Sequence, residues 1–162
     1  MNGITFGEAW AYGGPLMWVL AFFSVMSFAN TLYILFSQRK KPFIKASIAR
    51  LKKSKDPEAE GARIAERIQA SVDWLADIAA IAPLVGLLGT VLGMFQAFGG
   101  IATDVAAGAK PVVLAQGVSQ AIVTTIFGLV VAIPSLVMHA FLRRRASRLI
   151  AALEEKADEV FA

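Results

Sequence analysis

Cysteine is absent from this chain, and histidine occurs once, at His139. The chain therefore has no disulfide framework and no thiolate nucleophile, and one imidazole does not make a metal centre. Charged side chains are missing from three long stretches: residues 15–36, 78–98 and 118–142 contain no Asp, Glu, Lys or Arg. Pumps and ion channels mark their pathways with buried ionisable groups, because such groups are costly in lipid and persist where they work. This chain has no acid of its own to carry a proton across a bilayer. Aromatic residues do not alternate with the basic ones, which removes the stacking platform of a single-strand nucleic-acid binder.

What remains is strongly apolar. Of the 162 residues 57% are hydrophobic and the mean hydropathy is +0.62, values outside the ordinary range of a small soluble domain. The three uncharged stretches each approach or exceed the length that crosses a bilayer as a helix. The expected fold is an all-α integral membrane protein, a single domain over 1–162, with cytoplasmic segments 37–77 and 143–162. All 16 Lys and Arg except Lys110 then fall on one side, and the first of them, Arg39, follows the first span. The positive-inside rule makes the chain N-out and C-in, with a retained anchor instead of a cleaved leader. Trp10 and Tyr12, with Glu8 nearby, mark the outer interface, and Asp104 lies in the outer loop.

The cytoplasmic segment opens on Arg39-Lys40-Lys41, and Ile44, Ile48 and Leu51 recur there at helical spacing. They predict a short amphipathic helix near the anionic inner surface. Asp56-Pro57, followed by Glu58 and Glu60, is a helix start with a capping acid and proline at the first position. A helix from there to about Phe98 is roughly 60 Å long, twice the hydrocarbon thickness, so two helices extend into the cytoplasm. Asp73 and Asp77 lie one turn apart near the inner interface, beside Trp74, as solvated or Arg-paired carboxylates or as an ion-exchanging pair. Leu149, Leu153 and Val160 continue an amphipathic tail.

Small residues line one face of each of the last two spans. Gly86, Gly89, Thr90, Gly93 and Ala97 are three or four apart, and Gly117, Ala121, Thr124, Thr125, Gly128, Ala132 and Ser135 form a matching stripe. Such faces let helices approach closely, and their hydroxyls can bond a neighbour. Thr90, Thr124, Thr125, Ser135, Gln96, Gln116 and Gln120 could line a polar passage and solvate a charge brought by another chain, or the stripes could be plain packing faces. Pro83 and Pro134 interrupt the hydrogen bonding of otherwise unbroken spans. A scaffold that only assembles helices is the alternative reading, and a small-solute pore is a weaker one.

The run Ala82-Pro83-Leu84-Val85-Gly86-Leu87-Leu88-Gly89-Thr90-Val91-Leu92-Gly93-Met94, followed by Gly117 to Pro134 with its Val123-Thr124-Thr125-Ile126-Phe127-Gly128 centre, resembles the MotA/TolQ/ExbB proton-channel family. The resemblance covers residues 74–145 closely. It implies a pentameric ring in the bacterial inner membrane, around the helices of an ExbD- or TolR-like single-span partner whose membrane aspartate carries the proton. A TonB- or TolA-like protein would transmit the motion, energising transport or envelope processes. The chain would then be a transport component without enzymatic activity or cofactor. Thr90 and Thr125 match the family's pore threonines, while Gly86, Gly93, Gly117 and Gly128 stand as helix-packing positions on their spacing alone. Gln120 stands where ExbB and TolQ usually have glutamate, and the segment between the first two spans is shorter than usual. MotA, with four spans, fits less well.

Overall fold

The computed structural model describes Gly7, Trp10 and residues 13–37, 40–102 and 110–161, with the backbone alone for 40, 41, 102, 110 and 161. The sequence readings at Glu8, Tyr12, Arg39 and Asp104 lie outside the described residues. Within them the chain is all-helical, with four helices: α1 Leu16–Ser37, α2 Lys40–Leu51, α3 Pro57–Ala102 and α4 Lys110–Phe161. Three of these, α1, α3 and α4, contain windows long and apolar enough to cross a membrane.

Local chemistry sets the helix starts. Gly14 has φ +64°, a left-handed conformation that favours glycine, and its carbonyl accepts the Met17 N–H at 3.1 Å as α1 begins. Asp56 caps α3, its Oδ1 accepting the Ala59 N–H at 3.1 Å, with Pro57 at the first helical position and Glu58 and Glu60 in the first turn. From that cap α3 runs 46 residues, about 69 Å at 1.5 Å per residue. Both Pro83 and Pro134 lie inside continuous helices. The sequence predicts a helix to about Phe98, but α3 continues through Gly99 and Gly100 to Ala102. Glycine weakens a helix without breaking it, and end assignments vary by a residue or two.

The contacts group into two compact units, and α1, α3 and α4 each contribute to both. One unit comprises Met1–Met26 and Ile78–Pro134, with a core of Met17, Leu20, Ile78, Ala82, Val131 and Ala132. Phe23, Met26, Val85 and Phe127 pack against that core. The other unit, Ser27–Asp77 and Ser135–Ala162, buries Ile34, Leu51, Ile64, Ile68, Val72, Leu75, Leu142, Leu149 and Leu153. The first three residues of that set come from α1, α2 and α3 and the last three from α4, so the cluster ties all four helices together.

The apolar side of α2 has a different fate from the one its sequence suggests. Phe43, Ile44 and Ile48 pack on the second unit's cluster, and Leu51 is 2% exposed within it. That face is spent on protein and is not available to lie on a lipid surface. Polar side chains also join the helices here: Ser27 Oγ and Ser135 Oγ share a buried hydrogen bond of 2.7 Å, and Asn30 Nδ2 donates to the Ser71 carbonyl at 3.0 Å. Ser27 and Asn30 are three apart, one face of α1. Leu149 is fully buried, so Leu149→Ala should lower stability by about 2–5 kcal/mol. A thermal melt of the purified protein checks this, and a wild-type melting temperature would contradict the packing.

Candidate functional site

The two small-residue stripes meet each other. A Cβ placed on Gly86 would lie 2.9 Å from the Thr124 carbonyl oxygen, 3.1 Å from Thr125 Cα and 3.3 Å from Gly128 Cα. One on Gly93 would lie 2.9 Å from the Gly117 carbonyl oxygen, and one on Gly128 would lie 2.8 Å from that of Ala82. Gly117 is closed off by Ala97 and the Gly93 carbonyl, and Gly89 by the Thr124 side chain. Backbone therefore rests on backbone along α3 and α4, an approach that only glycine permits. The sequence leaves these stripes open between a shared polar passage and plain packing faces. Within the chain they form one close contact, because facing small surfaces gain more from packing on each other than from leaving a gap.

The threonines divide accordingly. Thr124 is 0% exposed, and its hydroxyl donates to its own helix, with the Ala121 carbonyl at 2.9 Å and the Gln120 carbonyl at 3.1 Å. That placement is a packing position against Gly89, so Thr124 leaves the group of expected lining residues. Thr125, offset by about 100° around α4, is half-buried, and its Oγ1 donates across to the Gly86 carbonyl on α3 at 3.3 Å. Thr90 is likewise half-buried and donates to the Leu87 carbonyl at 2.6 Å. In an α-helix the Gly86 carbonyl is also the acceptor of the Thr90 N–H. The two partly exposed threonines thus bond neighbouring carbonyls of α3, Thr125 that of Gly86 from α4 and Thr90 that of Leu87 from within α3.

Gln120 is half-buried, and its amide lies over the turn before α1: a Cβ on Gly14 would come within 3.1 Å of Nε2. Gln96 and Gln116 are exposed. The site contains hydroxyls, one amide and backbone carbonyls, and no titratable group is among the residues named. It can donate hydrogen bonds to a carboxylate or hold water, and it cannot itself exchange a proton.

In the other unit, Asp73 faces His139, with Oδ1 to Nε2 at 3.8 Å, too long for a hydrogen bond. The buried Nε2 has no hydrogen-bond partner among the described residues. The sequence leaves Asp73 open as a solvated or Arg-paired carboxylate or as one of an ion-exchanging pair with Asp77. Its half-buried cross-helix neighbour is a histidine, and spacing within one helix could not reveal that pairing.

The model of the MotA/TolQ/ExbB proton channel family matches residues 37–155. The chain is similar to the Tol-Pal system protein TolQ of Pseudomonas aeruginosa, 36% identical over 94 residues, which is 58% of this chain and 40% of the relative. It is similar to biopolymer transport protein exbB1 of Vibrio cholerae, 41% identical over 83 residues, covering 51% of this chain and 36% of the relative. With biopolymer transport protein ExbB of Salmonella typhimurium the identity is 39% over 87 residues, 54% of this chain and 35% of the relative. The matched stretch therefore spans two fifths or less of the length of these relatives.

Proposed function

Because the chain belongs to the MotA/TolQ/ExbB proton channel family, we propose that it is the ring-forming subunit of a proton-driven motor in the bacterial inner membrane. It works with a single-span ExbD- or TolR-like partner that supplies the membrane carboxylate, and a TonB- or TolA-like protein receives the motion. The names of the relatives, a Tol-Pal system protein and biopolymer transport proteins, support envelope maintenance or energised transport as its setting. The observation that carries the reading is the pair of partly exposed threonines, Thr90 and Thr125, whose hydroxyls bond the adjacent Leu87 and Gly86 carbonyls, in spans without a carboxylate or an amine. Such a site solvates a carboxylate that another chain brings.

In this reading each chain is a single membrane domain over 1–162, with spans at about 15–36, 78–98 and 118–142, and five copies surround the partner's helices. Within one protomer only 17%, 33% and 39% of the apolar windows of α1, α3 and α4 are buried, which leaves ample surface for lipid and neighbouring copies. The close α3/α4 contact uses up the small faces, so ring assembly rests on these remaining apolar surfaces. Co-purification with the product of an adjacent gene, native mass spectrometry and proton flux in proteoliposomes test the proposal together. A monomer in several mild detergents, or a complex without flux, would leave the scaffold reading.

Two further outcomes follow from this arrangement. With N-out topology and no native cysteine, Asp104→Cys should react with a membrane-impermeant maleimide in intact cells and Lys53→Cys only after permeabilisation. Reaction of both from outside would end the three-span topology. Gln120→Leu should assemble normally and reduce proton flux several-fold, since it replaces the amide over the Gly14 turn with an apolar group, while Gln120→Glu should be tolerated where the site is wet. Wild-type flux from Gln120→Leu would reduce Gln120 to packing.

A further inference from the structure

The second unit carries a groove of about 510 Å³ between the start of α3 and the end of α4. Its floor is made of small or buried apolar residues, Ala62 and Ala65 from α3 and Leu153 and Ala157 from α4. Neighbouring turns of the same helices fill the core with Ile64, Ile68 and Leu149, and the groove opens where alanine replaces such residues. Gly61 and Leu51 also line it, and a Cβ on Gly61 would meet Leu51 at an ordinary 3.8 Å. Glu58, Glu154 and Asp158 stand around the opening, and no lysine or arginine is among the described residues that line it. None of the three carboxylates is in an ion pair with another described residue.

We propose that this groove is a docking site for a cationic amphipathic segment of a partner protein, its apolar side on the alanine floor and its Lys or Arg residues against the acidic rim. The α3 wall from Pro57 to Ala65 is about 12 Å long, enough for two turns of a docked helix. Charge complementarity selects the sign of the segment and the apolar floor selects its amphipathic character. An anionic lipid surface is repelled by the rim. The chain's own basic helix α2 does not fit as the occupant from a second copy, because its apolar residues Phe43, Ile44, Ile48 and Leu51 are already committed to the core. The groove does not involve Thr90, Thr125 or Gln120, so the proposal stands apart from the pore reading.

The test uses the full chain in nanodiscs of zwitterionic lipid. The probe is a fluorescein-labelled ten-residue peptide with leucines at i, i+3, i+4 and i+7 and lysines elsewhere. Anisotropy should show saturable binding above empty discs, weakening with salt as rim charges are screened. Glu154→Lys with Asp158→Lys should weaken binding about tenfold or more, and both sites are exposed, so folding is undisturbed. Ala62→Leu with Ala157→Leu should have a similar effect by filling the floor while leaving the charges. In a chain without other cysteines, Ala62→Cys should label rapidly with maleimide. The proposal is overturned by binding no greater than to empty discs, or by either double variant binding like the wild type. A protected or copy-to-copy crosslinked Cys at position 62 would overturn it in favour of a second copy as occupant.

Discussion

Thr90→Val and Thr125→Val are expected to assemble with the partner at wild-type levels and to lose most proton-dependent activity. Valine matches threonine in size and removes only the hydroxyl. The Thr125 bond to the Gly86 carbonyl is long at 3.3 Å, and the Thr90 bond stays within its own helix. Both carbonyls keep their helical N–H partners, so the loss of stability should be about 1 kcal/mol or less. A carboxylate cycling between charged and neutral forms in a low-dielectric passage depends more heavily on each donor. Removing one costs its charged form about 1.5–3 kcal/mol, roughly a tenfold to hundredfold change in population. Thr124→Val supplies the internal contrast: its hydroxyl is fully buried and bonded along α4, so the change should register in the melting temperature and leave flux nearly intact. Flux from a pH-sensitive dye in proteoliposomes, read beside a thermal melt, separates the two classes. Full flux from both Thr90→Val and Thr125→Val would remove the solvating role.

Gly86→Ala, Gly117→Ala and Gly128→Ala should each disrupt folding, and the corresponding leucine variants should give little or no monodisperse protein. The added Cβ meets backbone at all three positions: 2.9 Å from the Thr124 oxygen at Gly86, 2.7 Å from the Gly93 oxygen at Gly117 and 2.8 Å from the Ala82 oxygen at Gly128. Backbone cannot rotate away as a side-chain tip can, so α3 and α4 must separate and lose their contact along its length. Overpacking of this kind costs about 1–3 kcal/mol per site and more where the neighbour is rigid. Gly99, where an added Cβ would meet nothing within 4 Å, is the control. Gly99→Ala should be neutral or stabilise by up to about 1 kcal/mol through helix propensity. Size-exclusion profiles and melting temperatures of the four alanine variants check this, and indistinguishable behaviour across them would refute the close contact.

The expected lining set illustrates how far residue spacing reaches. Thr124 and Thr125 are adjacent in sequence and identical in kind, so composition and motif matching treat them alike. The partner helix tells them apart: Gly89 receives Thr124, while the Gly86 carbonyl receives the Thr125 hydroxyl. In the same way the periodicity of Ile44, Ile48 and Leu51 made α2 legible as a helix, and its buried neighbours on the other helices decided that the apolar face meets protein. The groove between α3 and α4 left no sequence signal, since Ala62, Ala65 and Ala157 read as ordinary helix formers and Glu154 and Asp158 as an ordinary solvated tail.

The sequence by itself determined the helical class, the three apolar windows, the start of α3 at Asp56-Pro57 and the absence of any carboxylate or amine from the spans. These are local properties: hydropathy summed over a window, a capping side chain within three residues of its donor, and the identity of each side chain. Only the tertiary structure decided that the two small stripes close on each other, that the Thr125 hydroxyl reaches the Gly86 carbonyl and that Ser27 bonds Ser135. Each of these joins residues on different helices, and a small residue in one helix specifies room for a neighbour without specifying which neighbour fills it.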